Sequence, residues 1–224
     1  LPFLLVAQSS NWNSDVDLNH ATGSGDGTDI YTDSDGNHIL IGDGSSLTYY
    51  LYSPSGTQVR SHTFENSLSS AVYNKIVGHD NTVYVSYRKG STIYTEKSTD
   101  AGQNWSSLNN ISISTSDSDG LELWADDAGL HIVYSLKVSG NYESYYKRSA
   151  HNFSNWVDDK TVTDESGVTG GTPSVTTSSD RVHVAFSVWR GDLKTRDRYN
   201  SSWQSSQSIS INDNYTPVAI ASSQ

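Results

Sequence analysis

A chain of 224 residues with a formal charge of −11 has room for one globular domain or one segment of a larger one, and it lacks the basic surface that nucleic acid or an anionic membrane would need. Hydrophobic residues make up only 34%, but 14 tyrosines and 6 tryptophans supply large rings, so a core is attainable with little leucine. Cysteine is absent, which excludes thiol chemistry and thiolate metal sites and leaves the compartment open.

Serine, threonine, asparagine, aspartate and glycine fill much of the remainder, and no stretch keeps apolar residues at helical spacing for three turns. That mixture points to strands joined by polar turns, hence an all-β chain. The first residues, Leu1-Pro2-Phe3-Leu4-Leu5-Val6-Ala7-Gln8, admit two readings. They form the tail of a signal peptide without a positive n-region, or a strand of the repeat described next, which we prefer.

From residue 21 onward four segments share one grammar: a strand, a tight turn, an alternating apolar strand, a polar loop, a third strand, a turn and a fourth strand. The second strands are His38–Ile41, Val83–Tyr87, Leu130–Ser135 and Val182–Ser187. Each follows a hairpin turn: Asp33–Asn37, His79–Asn81, Asp126–Gly129 or Ser179–Asp180. Fourth strands open at Trp12, Val59, Trp105, Trp156 and Trp203, about 47 residues apart, the length of a four-stranded propeller blade. The expected blades are 21–70, 71–114, 115–167 and 168–210. Residues 211–224 then supply an inner strand around Pro217–Ala221, and residues 1–20 the outer strands Phe3–Ala7 and Trp12–Leu18 of the same blade. Either the chain closes a five-bladed ring through that split blade, which lacks its second strand, or it is an excerpt of a larger propeller.

Residues 98–105 read Ser98-Thr99-Asp100-Ala101-Gly102-Gln103-Asn104-Trp105 and fall between a third and a fourth strand. Asp100 is placed to accept backbone hydrogen bonds across the turn, Gly102 permits the bend, and Trp105 is placed to pack between sheets. This octet resembles the Asp-box (BNR repeat) of sialidase-like β-propellers. The other blades keep remnants, such as Ser149 and Trp156 with His151 in the aspartate position. The resemblance implies a structural role for Ser98, Asp100, Gly102 and Trp105.

A sialidase-type site would also imply three arginines to clamp a carboxylate, a tyrosine–glutamate pair and an acid/base aspartate. That set is not recognisable here. Of seven arginines only Arg88 and Arg190 fall in loops between second and third strands. Glu122, flanked by Leu121 and Leu123 on an inner strand, is the one catalytic candidate, with a solvated channel carboxylate as the plainer reading. The same loops carry Lys137 and the pair Trp189–Arg190, so Arg88, Lys137, Trp189 and Arg190 are the candidate ligand-binding residues. A flat ring beside cationic donors suits sugars, whose C–H faces stack on aromatics while their hydroxyls take hydrogen bonds.

Asp33-x-Asp35-Gly36 and Asp117-x-Asp119-Gly120 resemble fragments of calcium loops, although neither has the downstream glutamate of an EF-hand, and aspartate-rich hairpin turns explain them as well. No cofactor is otherwise expected, and His131 and His183 read as repeat positions and not as metal ligands. Five sequons, at Asn104, Asn110, Asn152, Asn200 and Asn214, permit glycosylation on a secretory route. The expectation is an extracellular, non-catalytic module that binds glycans or glycoproteins, without membrane insertion. A sialidase-type glycosidase completed by residues elsewhere and a self-associating surface protein stay open as alternatives.

Overall fold

The computed structural model describes residues 27–43, 45–68, 73–113, 120–150, 155–163, 173–179, 181–188 and 192–210. Among these, every regular element is a β-strand, and no helix is long and apolar enough to cross a membrane. The first sheet is β1 (Thr28–Thr32), β2 (Asn37–Gly42), β3 (Leu47–Tyr52) and β4 (Gln58–Glu65), paired in chain order. The second is β5 (Asn74–His79), β6 (Thr82–Lys89), β7 (Thr92–Ser98), β8 (Ser106–Ser107) and β9 (Ile111–Ser112). The third is β10 (Gly120–Asp126), β11 (Gly129–Val138), β12 (Asn141–Ser149) and β13 (Val157–Thr161). The fourth is β14 (Ser174–Ser178), β15 (Arg181–Val188), β16 (Asp192–Tyr199), β17 (Ser202–Trp203) and β18 (Gln207–Ser210). All pairings are antiparallel, as expected for meander blades joined by short hairpins.

The outer strands are less regular than the sequence pattern suggests. In the second blade, β8 and β9 pair with opposite halves of β7, and in the fourth β17 and β18 share β16 in the same way. Registers also shift within β3–β4 and β12–β13. An outer strand has a partner on one side only, so a bulge costs it few hydrogen bonds and blunts an edge that would otherwise invite pairing.

Sheets stack face to face through their alternating apolar sides. Leu40, Tyr49 and Leu51 of the first blade meet Ile76, Val83 and Val85 of the second. Tyr84 and Ile93 of the second meet Leu121, Leu123 and Ile132 of the third, and Val133 and Tyr146 of the third meet Val175, Val184 and Phe186 of the fourth. First strands follow one another in space in the order β1, β5, β10, β14.

A side-chain relay repeats behind these seams. In the first blade His38, fully buried, places Nε2 2.9 Å from Asp33 Oδ1 and Nδ1 2.7 Å from Tyr49 Oη. In the third, His131 places Nε2 3.1 Å from Asp126 Oδ1 and Nδ1 2.8 Å from Tyr146 Oη. The fourth substitutes Ser178 and Asp197 around His183, at 2.6 and 2.9 Å. Burial alone would raise the Asp126 carboxyl, but hydrogen bonds from His131 and Thr177 bring it far below the usual carboxylate range. Asp33 also accepts the Asp35 amide at 2.8 Å, so the spacing read as a calcium-loop fragment is a hairpin turn whose aspartate serves the relay. Asp117 and Asp119 lie outside the described residues.

The Ser98–Trp105 turn joins β7 to β8. Asp100 Oδ1 accepts the Asn104 amide at 2.8 Å and the Ser98 hydroxyl at 2.8 Å, while Oδ2 accepts Asn104 Nδ2 at 2.7 Å. The Asn104 amide, then its side chain and Ser98, hold the Asp100 carboxyl at about 2, below its ordinary 3.8. A depressed carboxyl stabilises the fold above the unfolded pKa and loses that contribution as pH falls through the folded value. Between pH 3.8 and about 2 the native chain should therefore lose stability that Asp100→Asn does not lose. Urea midpoints for both proteins across that window check this, and parallel curves would contradict it.

Candidate functional site

Four residues on successive first strands occupy one layer, each four positions before its hairpin residue: Asp29, Lys75, Glu122 and Ser174. Their cross-strand partners are Leu40, Ser86, Val133 and Ala185, so the layer is polar against a mostly apolar second strand. Lys75 Nζ lies 3.0 Å from Glu122 Oε2, and Asp29 Oδ2 accepts the amide of Ile76, next to Lys75, at 2.9 Å. The result is an acid–base–acid sequence across three blades. Burial raises the Glu122 carboxyl, and the Lys75 charge and hydrogen bond oppose that rise without cancelling it.

Two residues earlier in the chain stand Gly27, just before β1, Tyr73, just before β5, and Gly120, the first residue of β10. Tyr73, the residue before β5, is two positions from Lys75, half-buried and packed against the core between the second and third blades. The Arg88 guanidinium stacks 4.5 Å from the Tyr73 ring centre, and the Arg88 amide donates to the Tyr73 carbonyl at 3.0 Å. At this end of the blades, where the loops between second and third strands lie, further polar–aromatic pairs gather. Lys137 stands 5.7 Å over Tyr142, and Tyr145 donates to Glu143 at 2.8 Å. Tyr87 stacks on Tyr94 and Tyr134 on Tyr145, at 5.4 and 5.6 Å in equivalent places of adjacent blades. Lys89 Nζ is 2.6 Å from Glu65 Oε2, and that hydrogen bond is the main reason Glu65 falls to about 2.

The structure places Arg88 and Lys137 at one end of the blades, each beside a tyrosine. They stand in the last residues of β6 and β11, paired with Ile93 and Tyr142, and not in the loops expected of them, because the strand ladders run on to the hairpin turns. Trp189 and Arg190 lie outside the described residues. Glu122 is half-buried and ion-paired, so it is not the freely solvated carboxylate of the plainer sequence reading. Ser98, Asp100, Gly102 and Trp105 sit together in the peripheral turn. His131 and His183 belong to the buried and half-buried relays. Among the described residues, His79, Asp80 and Asp127 bring three possible metal-ligand atoms within 4.8 Å of one another, but both carboxylates are exposed and His79 pairs with each, at 3.4 and 3.0 Å.

Sequence reasoning missed Asp29, Lys75 and Tyr73, and it did not connect His38 to Asp33 and Tyr49. For the relay a signal exists: in three blades a histidine follows the turn aspartate or serine by five residues. For the axial layer the signal is positional and emerges only after the blades are superposed.

No family model matches the chain, and no curated protein matches it. Solved structures do. An arginine mutant of AofleA from Arthrobotrys oligospora is 12% identical with a TM-score of 0.59, over 87% of this chain and 59% of that one. The fungal lectin of Aleuria aurantia, described as a six-bladed β-propeller with a fucose recognition mode, is 15% identical with a TM-score of 0.55, over 87% of this chain and 66% of that one. An exo-β-1,3-galactanase from Phanerochaete chrysosporium, solved with galactose, is 13% identical with a TM-score of 0.54, over 85% of this chain and 51% of that one.

The fold is a β-propeller. At these identities the likeness establishes the architecture alone, and the chain spans between about half and two thirds of the length of the propellers it matches. In this propeller the Tyr73–Arg88 stack and the Lys75–Glu122 pair share the end that carries the loops between second and third strands.

Proposed function

We propose that this propeller is an extracellular, non-catalytic module that binds glycans, of the Asp-box, sialidase-like kind. The observation that carries the reading is the Arg88–Tyr73 stack at the start of β5, two residues before Lys75 of the Lys75–Glu122 pair. A pyranose presents one apolar C–H face and a rim of hydroxyls. The planar guanidinium and its ring offer a flat surface, while the ammonium and carboxylates take hydroxyls in charge-assisted hydrogen bonds. Trp189 and Arg190, on the corresponding loop of the fourth blade, extend the same face in this reading. The fucose lectin and the galactanase among the similar structures handle sugars, and this supports the proposal without identifying the ligand.

Titration with fucosylated, galactosylated and sialylated oligosaccharides tests it. Binding to at least one is expected, and Arg88→Ala should weaken it by about tenfold or more, the range of an interfacial anchor worth ~1.4 kcal/mol or above. Trp189→Ala should weaken it as well. No binding, or affinities unchanged in both variants, would remove the proposal.

One observation favours a second reading, a glycosidase. Glu122 is pushed toward its protonated form by burial, as a general acid requires, and Asp29 supplies another carboxylate on a neighbouring first strand. Release of free sugar during the same titration, abolished in Glu122→Gln, would select it.

A further inference from the structure

In three blades the residue five places before the second-strand histidine is its relay partner: Asp33 for His38, Asp126 for His131 and Ser178 for His183. The second blade breaks this rule. Its two positions hold His79 and Tyr84, so the histidine has moved from the strand into the hairpin, where the other blades keep an acid or a hydroxyl. Tyr84 fills the buried place at 1% exposed. His79 meets the hairpin of the third blade, with Nε2 3.0 Å from Asp127 Oδ1. Asp80, the next residue, brings Oδ2 to 3.4 Å from the same nitrogen. Nε2 carries at most one hydrogen, which Asp127 takes at the shorter distance. Asp80 then adds a second negative charge to the same nitrogen with no hydrogen left for it.

We propose that His79, Asp80 and Asp127 form a site for a divalent transition cation of the zinc class, clasping the hairpins of the second and third blades. A cation accepts a lone pair from all three groups, which one shared hydrogen cannot do. The three ligand atoms lie within 4.8 Å of one another. Ligands bound at 2.0–2.2 Å to a tetrahedral zinc ion stand about 3.3–3.6 Å apart, so separations of 3.0 and 3.4 Å bring a cation within reach of small side-chain rotations. An imidazole nitrogen beside two carboxylates selects zinc over calcium or magnesium, which take all-oxygen sets. The Asp80 and Asp127 side chains are 85% and 97% exposed, so they rotate to ligate without loss of packing, and water completes the shell. His79, at 19%, is the fixed member. The site stands at the end of β5 away from Tyr73 and Arg88, and it does not depend on the glycan reading.

Calorimetric titration of zinc chloride into the full chain, first stripped with EDTA, should show one equivalent bound with a Kd below about 100 µM. His79→Gln and Asp127→Asn should each weaken that binding by about tenfold or more, as loss of one ligand in three does. Asp35→Asn, on the exposed hairpin of the first blade, should bind as the wild type does. A second measurement keeps the wild-type chain. At one equivalent of zinc a single imidazole Nε2 resonance should shift in the nitrogen NMR spectrum, the one that His79→Gln lacks, and excess calcium chloride should not move it. No saturation below that concentration overturns the proposal, as does a smaller loss in either site variant. An equal loss in Asp35→Asn, or a zinc shift at another histidine instead, overturns it too.

Discussion

Tyr49→Ala should lower the unfolding free energy by about 4 kcal/mol, the range for emptying a large, fully enclosed aromatic site. The ring is 0% exposed and performs three tasks at one seam. Its hydroxyl lies 2.7 Å from His38 Nδ1 and donates to the Ala101 carbonyl of the next blade at 3.2 Å. Its edge meets Trp105 at 5.0 Å in a T-shaped contact. Burial has raised the Tyr49 hydroxyl well above the ordinary tyrosine value, so the neutral phenol persists at any working pH. Tyr49→Phe separates the tasks. It keeps the ring and leaves His38 short of a partner, for a loss of about 2 kcal/mol. Adding His38→Phe to Tyr49→Phe should cost less than the two single losses together, because both members of the pair are then gone. Urea unfolding of these four variants beside the wild type measures this, and a Tyr49→Ala loss below about 1 kcal/mol would show that the seam does not depend on the ring.

The features readable before any coordinates were those that repeat. Tryptophans near 105, 156 and 203 mark fourth strands because one ring per blade fills the margin of a seam, and the spacing of such fillers is the spacing of blades. Hairpins such as His79–Thr82 were visible because Asp80 and Asn81 adopt positive φ, which few residues tolerate. The broken outer strands were not visible. Ser106–Ser107 and Ile111–Ser112 are short, largely polar segments held to β7 by a few bonds, and no alternation survives in so short a run.

The axial layer shows a different limit. Glu122 could be singled out because Leu121, Leu123 and Trp124 frame it as a charge inside an apolar strand. Lys75 could not, since its neighbours Asn74 and Ile76 make it look like any surface lysine, and the carboxylate it serves is on the next blade. Arg88 was read as a loop cation, but it ends β6, and the Tyr73 ring beside it comes just before β5, on the far side of the hairpin that joins the two strands. Charge and ring were each legible. Their juxtaposition depends on blade stacking, which a single chain reading does not supply.

Gly102→Ala should remove about 3 kcal/mol, combining an overpacking cost of ~1–3 kcal/mol with the strain of a side chain at positive φ. Gly102 has φ of 80°, and an added Cβ would fall 2.3 Å from Cε1 and 2.6 Å from Cζ of Tyr49. A far ring atom can often yield, but this ring is clamped by His38 on one side and Trp105 on the other. The turn cannot retreat easily either, since the Gly102 amide donates to Ser98 Oγ at 2.8 Å and its carbonyl accepts Trp105 Nε1 at 3.2 Å. Gly90→Ala isolates the backbone share: φ there is 59° and nothing lies within 4 Å of the new carbon, so its cost should stay near ~1 kcal/mol. If the two variants unfold at the same urea concentration, the clash with Tyr49 is relieved at no cost. The peripheral turn would then be a local hairpin and not a clasp between the first and second blades.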